Sequence, residues 1–143
     1  MASATHLFPI RHDAIPSLLQ KYGIVPTTQR IEIAATLLCE RQHLSADQVL
    51  KRLTEHGVSV SKATVYNTLG LFAERSLVRQ VIVDPAKVFY DSNTEPHHHV
   101  YNVDDGTLID IDTANMCLEQ IPYPPRGTFV ETVDIVIRIR NTV

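Results

Sequence analysis

The stretch Ser45-Ala-Asp-Gln48 constrains the fold more than any other feature of the chain, because it marks where a helix begins. Ser-x-x-Gln has the form of a capping box, in which the serine and glutamine side chains each accept a hydrogen bond from a backbone N–H at a helix N-terminus. The residues that follow supply an apolar face, and Gly57 supplies a stop signal. The sequence therefore predicts a helix that starts after Ser45 and closes at Gly57.

Three more helices and a hairpin are predicted around this helix. Apolar periodicity and flanking Gly, Pro, Ser or Thr residues predict helices over Asp13 to Tyr22, from Thr27 or Thr28 to near Arg41, and from Ser61 through Phe72. His43 then falls in the connection between the second and third helices. Two β-rich runs around the turn Asp84-Pro85-Ala86 predict a hairpin, with strands over Leu77 to Val83 and Lys87 to Asp91.

The order of these elements is that of a winged helix-turn-helix, in which the second helix of the pair enters the DNA major groove and the hairpin is the wing. The fourth helix carries a small, polar outward face. The side chains positioned to reach base edges or phosphates of double-stranded DNA are Lys62, Thr64, Tyr66, Asn67 and Lys87. The pattern is also compatible with a small helical bundle whose fourth helix only faces solvent.

Charge divides the chain into two parts. Residues 1–83 hold nine Lys and Arg against six Asp and Glu, whereas residues 84–143 hold four against ten. This asymmetry indicates that the two parts of the chain have different functions. We expect a winged-helix DNA-binding domain over residues 1–91 and a dimerisation and metal-sensing domain over residues 92–143.

The second half is organised as strands. A hairpin is predicted around Asp104-Asp105-Gly106, followed by a short helix over Thr113 to Gln120 and a long half-buried strand over Thr128 to Arg140. The fold class is therefore α+β, with a small α/β dimerisation domain built on an antiparallel sheet. A core of this size is marginal in isolation, so we expect a homodimer.

Composition excludes several classes of protein. The 143 residues contain no apolar run long enough to span a bilayer and no N-terminal secretory signal, which predicts a cytoplasmic protein with no membrane partner. The two cysteines, Cys39 and Cys117, do not form a C-x-x-C pair. A cysteine zinc knuckle and a redox dithiol are therefore excluded.

Three consecutive histidines, His97 to His99, lie among acidic residues in the second half. On a strand His97 and His99 project to one face and His98 to the other, so two imidazoles are arranged to share an ion. Asp110 or Asp112 would approach from the returning strand, and Asp91 from the end of the wing. Imidazole with carboxylate suits Fe, Mn or Zn as a divalent ion. The alternatives are a solvated histidine-rich turn and, less favoured, a metal-dependent hydrolase; we expect no enzyme, because little chain remains for a substrate cleft.

Four separated motifs resemble the ferric uptake regulator (Fur) superfamily. They are "GIVPTTQRIEI", "HLSADQVLKRL", "SVSKATVYNTLGLF" and "HHHVYNVDDGTLIDI", in the family's order and spacing. The histidine run, the lack of cysteine pairs and the ending "VDIVIRIR" are most similar to the iron response regulator (Irr) branch. The resemblance implies a homodimeric, iron-linked repressor that binds a palindromic operator.

The resemblance also implies a ligand set for one regulatory metal ion. Its members are His43, Asp91, His97, His99 and Asp110, which would join the two domains. In the Irr branch the histidine run is also associated with haem, so His97, His98 and His99 are candidate axial ligands. The chain departs from the family where a structural zinc site would begin, since Asn102-Val-Asp-Asp105 replaces C-x-x-C. Asn67 stands where the family often has arginine, which leaves the operator sequence open.

Overall fold

The computed structural model describes residues 8–111 and 121–143, and these divide into two compact units, Met1–Glu95 and Pro96–Val143. The first unit combines helices with a three-stranded sheet, and the second contains another three-stranded sheet. The predicted α+β fold class is confirmed.

The helices of the first unit begin and end close to the predicted positions. A short 3-10 turn, His12–Ala14, precedes four α-helices: α1, Ile15–Lys21; α2, Thr28–Leu38; α3, Ala46–Glu55; and α4, Lys62–Glu74. The capping box is confirmed, because the Ser45 hydroxyl accepts from the Gln48 N–H at 3.2 Å and the Gln48 Oε1 accepts from the Ser45 N–H at 2.8 Å. Gly57 follows α3 with φ +75°, a left-handed conformation that favours glycine at a helix end.

The core of the first unit lies between the helices. Its members are apolar residues that recur at three- and four-residue spacing on α2, α3 and α4, so each helix buries one stripe. The fully or almost fully buried ones include Ile33, Leu37, Val49, Leu53, Val65, Leu69 and Phe72. Packing of these stripes leaves the opposite side of α4 exposed, which is the arrangement that DNA reading by this helix requires.

The sheet of the first unit has one strand that sequence reasoning missed. Its order is β1 (His43–Ser45), β3 (Lys87–Asp91), β2 (Arg79–Asp84), and both pairings are antiparallel. The expectation that His43 lies in a connection is wrong, since it pairs with Asp91 across β1 and β3. A strand of three residues shows no alternation of its own, and only the edge of β3 makes it a strand.

A hydrogen-bonded latch joins the start of β1 to the end of β3. The buried Ser92 hydroxyl accepts from the Gln42 N–H at 2.9 Å and lies 3.0 Å from the Glu40 carbonyl oxygen. The Gln42 side-chain amide donates to the Thr36 and Leu37 carbonyl oxygens at the end of α2, and its oxygen accepts from Arg52 of α3. The latch therefore holds the residues adjacent to His43 and Asp91 in place.

The second unit contains strands β4 (His98–Asn102), β5 (Leu108–Ile111) and β6 (Val136–Ile139), in the order β5-β4-β6. The predicted hairpin is present, with β4 and β5 antiparallel. In its turn Asp105 accepts hydrogen bonds from the Thr107 hydroxyl and N–H, which lower the pKa of Asp105. β6 pairs with β4 in parallel, so antiparallel pairing holds for the hairpin and not for the whole sheet.

The long strand predicted over Thr128 to Arg140 is wrong in its extent. Only Val136–Ile139 forms a strand, and Phe129, near the start of the predicted half-buried strand, is 83% exposed. A strand persists only where a neighbour supplies hydrogen bonds, and β4 offers five residues. The helix predicted over Thr113 to Gln120 lies outside the described residues. No helix in the described parts of the chain is long and apolar enough to cross a membrane.

The latch yields a prediction for stability. Ser92→Ala removes the hydroxyl that satisfies the Gln42 N–H in the interior, and we expect the free energy of unfolding to fall by about 1 to 3 kcal/mol. Urea unfolding followed by circular dichroism measures this change. Ser59→Ala, at an exposed position, is the matched control and should change stability little. Equal stabilities of the two variants would contradict a role for the latch.

Candidate metal centre and nucleic-acid interface

Two imidazoles of the second unit face one carboxylate oxygen. The Nε2 atom of His97 lies 3.4 Å from Oδ1 of Asp110, and the Nε2 atom of His99 lies 3.2 Å from the same oxygen. The two rings are tilted against each other with centroids 4.4 Å apart. The register of the hairpin produces this convergence, because His99 pairs directly with Asp110 across β4 and β5.

The geometry of these three side chains fits a transition-metal ion. Zn–N and Zn–O bonds are about 2.0 to 2.2 Å long, so two ligands of one tetrahedral ion lie about 3.3 to 3.6 Å apart. The imidazole-to-carboxylate distances match this separation, and the ligand atoms of His97, His99 and Asp110 all lie within 4.8 Å of one another. The cluster therefore fits one divalent ion.

Burial distinguishes this cluster from a surface turn. His97, His98 and His99 are 7%, 7% and 3% exposed, so the alternative of a solvated histidine-rich turn is wrong for these rings. His98 makes a different contact from its neighbours, since its Nδ1 accepts a hydrogen bond from the Ile135 N–H at 3.2 Å. The middle histidine thus takes part in joining β4 to the chain before β6.

The other two predicted ligands lie in the first unit, where they are cross-strand neighbours. Asp91 is the last residue of β3, is 1% exposed, and pairs with His43 of β1 on one side and Arg79 of β2 on the other. Its Oδ1 accepts from the Asn93 N–H at 2.9 Å. Burial lowers the pKa of Arg79. The negative charge of Asp91 has the opposite, smaller effect and raises this pKa. The His43 ring packs edge-on against Phe89.

The predicted DNA-reading residues of α4 are not equivalent. Lys62, Tyr66 and Asn67 are exposed, whereas Thr64 is half-buried and its hydroxyl accepts from the Ser61 hydroxyl at 2.8 Å. Thr64 therefore supports the helix N-terminus that Ser61 caps, in addition to facing outward. Lys62, Tyr66 and Asn67 are therefore the members of this set on α4 whose side chains are accessible.

Tyr66 is held by a neighbour from α3. Its hydroxyl donates to Oδ1 of Asp47 at 3.1 Å, and the Lys62 ammonium lies 3.6 Å from the same oxygen and 5.6 Å from the centroid of the Tyr66 ring. Desolvation and the hydrogen bond to Asp47 raise the pKa of Tyr66. The phenol therefore stays protonated and remains a donor at neutral pH.

Lys87 lies on the β2–β3 hairpin, the predicted wing, at the first position of β3, with its ammonium 5.9 Å from the Phe89 ring centroid. It lines a groove of about 250 Å³ that runs between the start of α3, the exposed side of α4 and the wing. Tyr66 and Asp47 line the same groove, together with Tyr90, whose pKa burial raises. The wing and α4 thus present their polar side chains around one shared surface.

Sequence reasoning missed the residues that support these groups. Asp47 is the third residue of the capping box. An acidic residue in the first turn is already explained by its favourable interaction with the helix N-terminus, so the sequence did not indicate its contact with Tyr66. Ser92 and Gln42 are separated by 50 positions, and Arg79 reaches Asp91 only through strand pairing. For these three residues the sequence contains no local signal.

Comparison with known proteins gives a consistent family. The model of the ferric uptake regulator family matches residues 21–134. The peroxide-responsive repressor PerR of Staphylococcus epidermidis is 28% identical over 109 residues, 75% of this chain and 73% of the relative. PerR of Staphylococcus aureus strain Mu50 is 29% identical over 103 residues, 71% of this chain and 70% of the relative.

Solved structures agree with this match. The ferric uptake regulator from Pseudomonas aeruginosa with manganese superposes with a TM-score of 0.69 at 29% identity, covering 90% of this chain and 98% of that one. The Vibrio cholerae ferric uptake regulator has the same fold, with a TM-score of 0.70 at 21% identity and coverage of 88% and 98%. Since the family model spans well over half of its residues, the chain belongs to the ferric uptake regulator family, whose members are metal-responsive transcription regulators.

Proposed function

We propose that this chain is an iron-linked repressor that binds palindromic operator DNA as a homodimer and responds to a divalent ion held by His43, Asp91, His97, His99 and Asp110. The observation that carries the proposal is the convergence of the His97 and His99 Nε2 atoms on one oxygen of Asp110. Three ligands already preorganised on a hairpin need only one or two more to complete a site. Asp91 is six positions before His97 in the chain, and His43 pairs with it.

The ligand set supports a regulatory role because it draws on both units. A bound divalent ion would supply one positive centre that all of its ligands coordinate. His43 and Asp91 belong to the first unit, and His97, His99 and Asp110 to the second, so common coordination would favour one arrangement of the units. A coupling of about 1 to 3 kcal/mol would change operator affinity roughly 5- to 150-fold.

Support for DNA binding comes from α4 and the wing. Tyr66 and Asn67 are exposed on a helix whose opposite side is buried, and Lys87 lines the same groove as Tyr66. Exposed amide and phenol groups on a major-groove helix serve base contacts, while lysines serve phosphate contacts. The relative named a peroxide-responsive repressor supports repression as the mode of regulation.

Support for a homodimer comes from an exposed apolar row on the second sheet. Val100 pairs with Ile109 of β5 and with Ile137 of β6, so the three side chains share one face. Ile109 is 56% exposed and Ile137 is 42% exposed, and Ile139 continues the row at 39%. A second copy of the same face would cover these side chains, and a two-fold pair of recognition helices would read a palindrome.

For the ligand, two carboxylates with three imidazoles favour a bare divalent ion, with Fe, Mn and Zn as the candidates. The Pseudomonas aeruginosa regulator, which contains manganese, supports a first-row divalent ion. Haem bound through His97, His98 or His99 is the alternative. Two of these rings are directed at Asp110 and the third accepts from the Ile135 N–H, which disfavours axial ligation. We assign the chain to the Irr branch on its histidine run and its lack of cysteine pairs, although the relatives reported above are PerR and Fur proteins.

The role of His43 tests the link between metal binding and DNA binding. His43→Ala leaves four ligands, so metal affinity should fall moderately, yet the metal's effect on operator affinity should be largely lost. His99→Ala should remove both, because its imidazole anchors the cluster. Metal titration by calorimetry and operator binding by fluorescence anisotropy, with and without metal, separate the two effects.

The exposed His56 provides the control, since His56→Ala changes a histidine of the same unit that lies outside the ligand set. This variant should keep the metal response of the wild type. A His43→Ala protein with an unchanged metal response would limit the ion to stabilising the second unit.

DNA reading by α4 and the wing predicts two different kinds of loss. Tyr66→Ala should weaken operator binding by about 1 to 3 kcal/mol while leaving binding to scrambled DNA nearly unchanged. Lys87→Ala should weaken binding to all duplexes and reduce the slope of log affinity against log salt concentration by about 1. Lys51→Ala, at an exposed position on α3, is the charge-matched control. Selection from a random duplex library that recovers no palindrome would refute operator binding.

The apolar row predicts the oligomeric state. The wild type should sediment as a dimer at micromolar concentration, and Ile137→Asp should shift it towards monomer, because a carboxylate on the covered face would lose its hydration. Ile82→Asp makes the same change at an exposed isoleucine of the first unit and should leave the dimer intact. A monomeric wild type would remove the basis for recognition of a palindrome.

A further inference from the structure

Asp47 is an acidic residue on the surface that we propose binds DNA. Its neighbours on this surface are groups that would contact DNA. One of its oxygens accepts from the Tyr66 hydroxyl at 3.1 Å and lies 3.6 Å from the Lys62 ammonium. A carboxylate at this place repels phosphates, and removing it would strengthen binding to any duplex. Its presence therefore calls for a function other than affinity.

We propose that Asp47 is a positioning residue that sets the sequence discrimination of the regulator by holding Tyr66 in one orientation, while its charge lowers affinity for every duplex. This proposal rests on operator binding by α4. Tyr66 is 42% exposed, so packing alone does not restrict its ring. The hydrogen bond to Asp47 at one end, and the Lys62 ammonium 5.6 Å from the ring centroid, restrict it instead.

The position of Asp47 is itself rigid. It lies between the two partners of the capping box, Ser45 and Gln48, whose reciprocal hydrogen bonds hold the first turn of α3. Tyr66 and Asp47 also line the groove that Lys87 borders on the wing. A ring held from a rigid helix presents the same apolar edge to every duplex, and thymine methyl groups are the base feature that such an edge contacts.

The charge of Asp47 acts on all duplexes, whereas the orientation of Tyr66 acts only where a matching base is present. Specificity is the difference between two binding free energies, so the charge, which weakens operator and scrambled complexes alike, leaves it unchanged, whereas the orientation of Tyr66 increases it. The ion pair with Lys62 is exposed on both sides, with side chains 66% and 67% accessible, and contributes little to stability. The ion pair with Lys62 therefore does not by itself account for the carboxylate.

The test measures the affinity of the full-length protein for a selected operator and for a scrambled duplex of the same length, at several salt concentrations. Asp47→Ala should bind the scrambled duplex about 3- to 10-fold more tightly and lose roughly tenfold in the operator-to-scrambled ratio. Asp47→Asn removes the charge but keeps an oxygen that accepts from the Tyr66 hydroxyl. It should also bind scrambled DNA more tightly, yet retain most of the operator preference.

Two further variants separate orientation from charge. Tyr66→Phe keeps the ring and removes the hydrogen bond, so the operator should bind more weakly with no gain in binding to scrambled DNA. Glu55→Ala, an exposed acid at the far end of α3, should leave the ratio unchanged. The positioning role is overturned if Asp47→Ala leaves the ratio at its wild-type value, or if Asp47→Asn loses as much of it as Asp47→Ala. A wild type without any operator preference would instead refute the proposed function itself, and this proposal with it.

Discussion

The register of one hairpin determines what the second unit can bind. Because His99 pairs with Asp110 across β4 and β5, an imidazole and a carboxylate are brought to 3.2 Å, and the strand period adds His97 to the same face. A shift of one residue in this pairing would turn the histidines to the other face of the sheet. The turn Asp104-Asp105-Gly106 and the buried Tyr101 and Leu108 hold the register, so the metal-binding geometry follows from ordinary sheet packing.

Cross-strand pairing also determines which side chains meet in the first unit. Asp91 is buried at the end of β3 between His43 and Arg79, each supplied by a neighbouring strand. A buried carboxylate is costly unless it is hydrogen-bonded or paired, and here the Asn93 N–H and the guanidinium of Arg79 fulfil that role. The hydrogen bond from the Gln42 N–H to the Ser92 hydroxyl connects the residue before His43 with the residue after Asp91. Candidate ligands in both units are thus positioned by cross-strand pairing.

Features with local causes could be predicted from the sequence, and features with distant causes could not. The capping box at Ser45, the stop at Gly57 and the histidine alternation depend on neighbouring residues, and the structure contains all three. The strand at His43 exists only because β3 offers an edge more than 40 positions away. The strand at Val136–Ile139 was predicted too long for the same reason, since alternation cannot reveal where the partner strand ends. The hydrogen bond between Asp47 and Tyr66 joins residues of two helices that are 19 positions apart in the chain.

The donor set of the second unit narrows the choice of ion by chemistry. His97 and His99 are almost fully buried, so folding has already removed water from their rings, whereas Asp110 remains about half exposed. Imidazole nitrogen donors disfavour Ca²⁺ and Mg²⁺, which prefer oxygen ligands, and the cluster contains no thiolate among the described residues, which disfavours Cu(I). His97 and His99 would hold a divalent ion from the buried side, and the exposed carboxylate of Asp110 would hold it from the solvent side. A preference for a first-row divalent ion is therefore the expectation from the donor types, two imidazoles and one carboxylate.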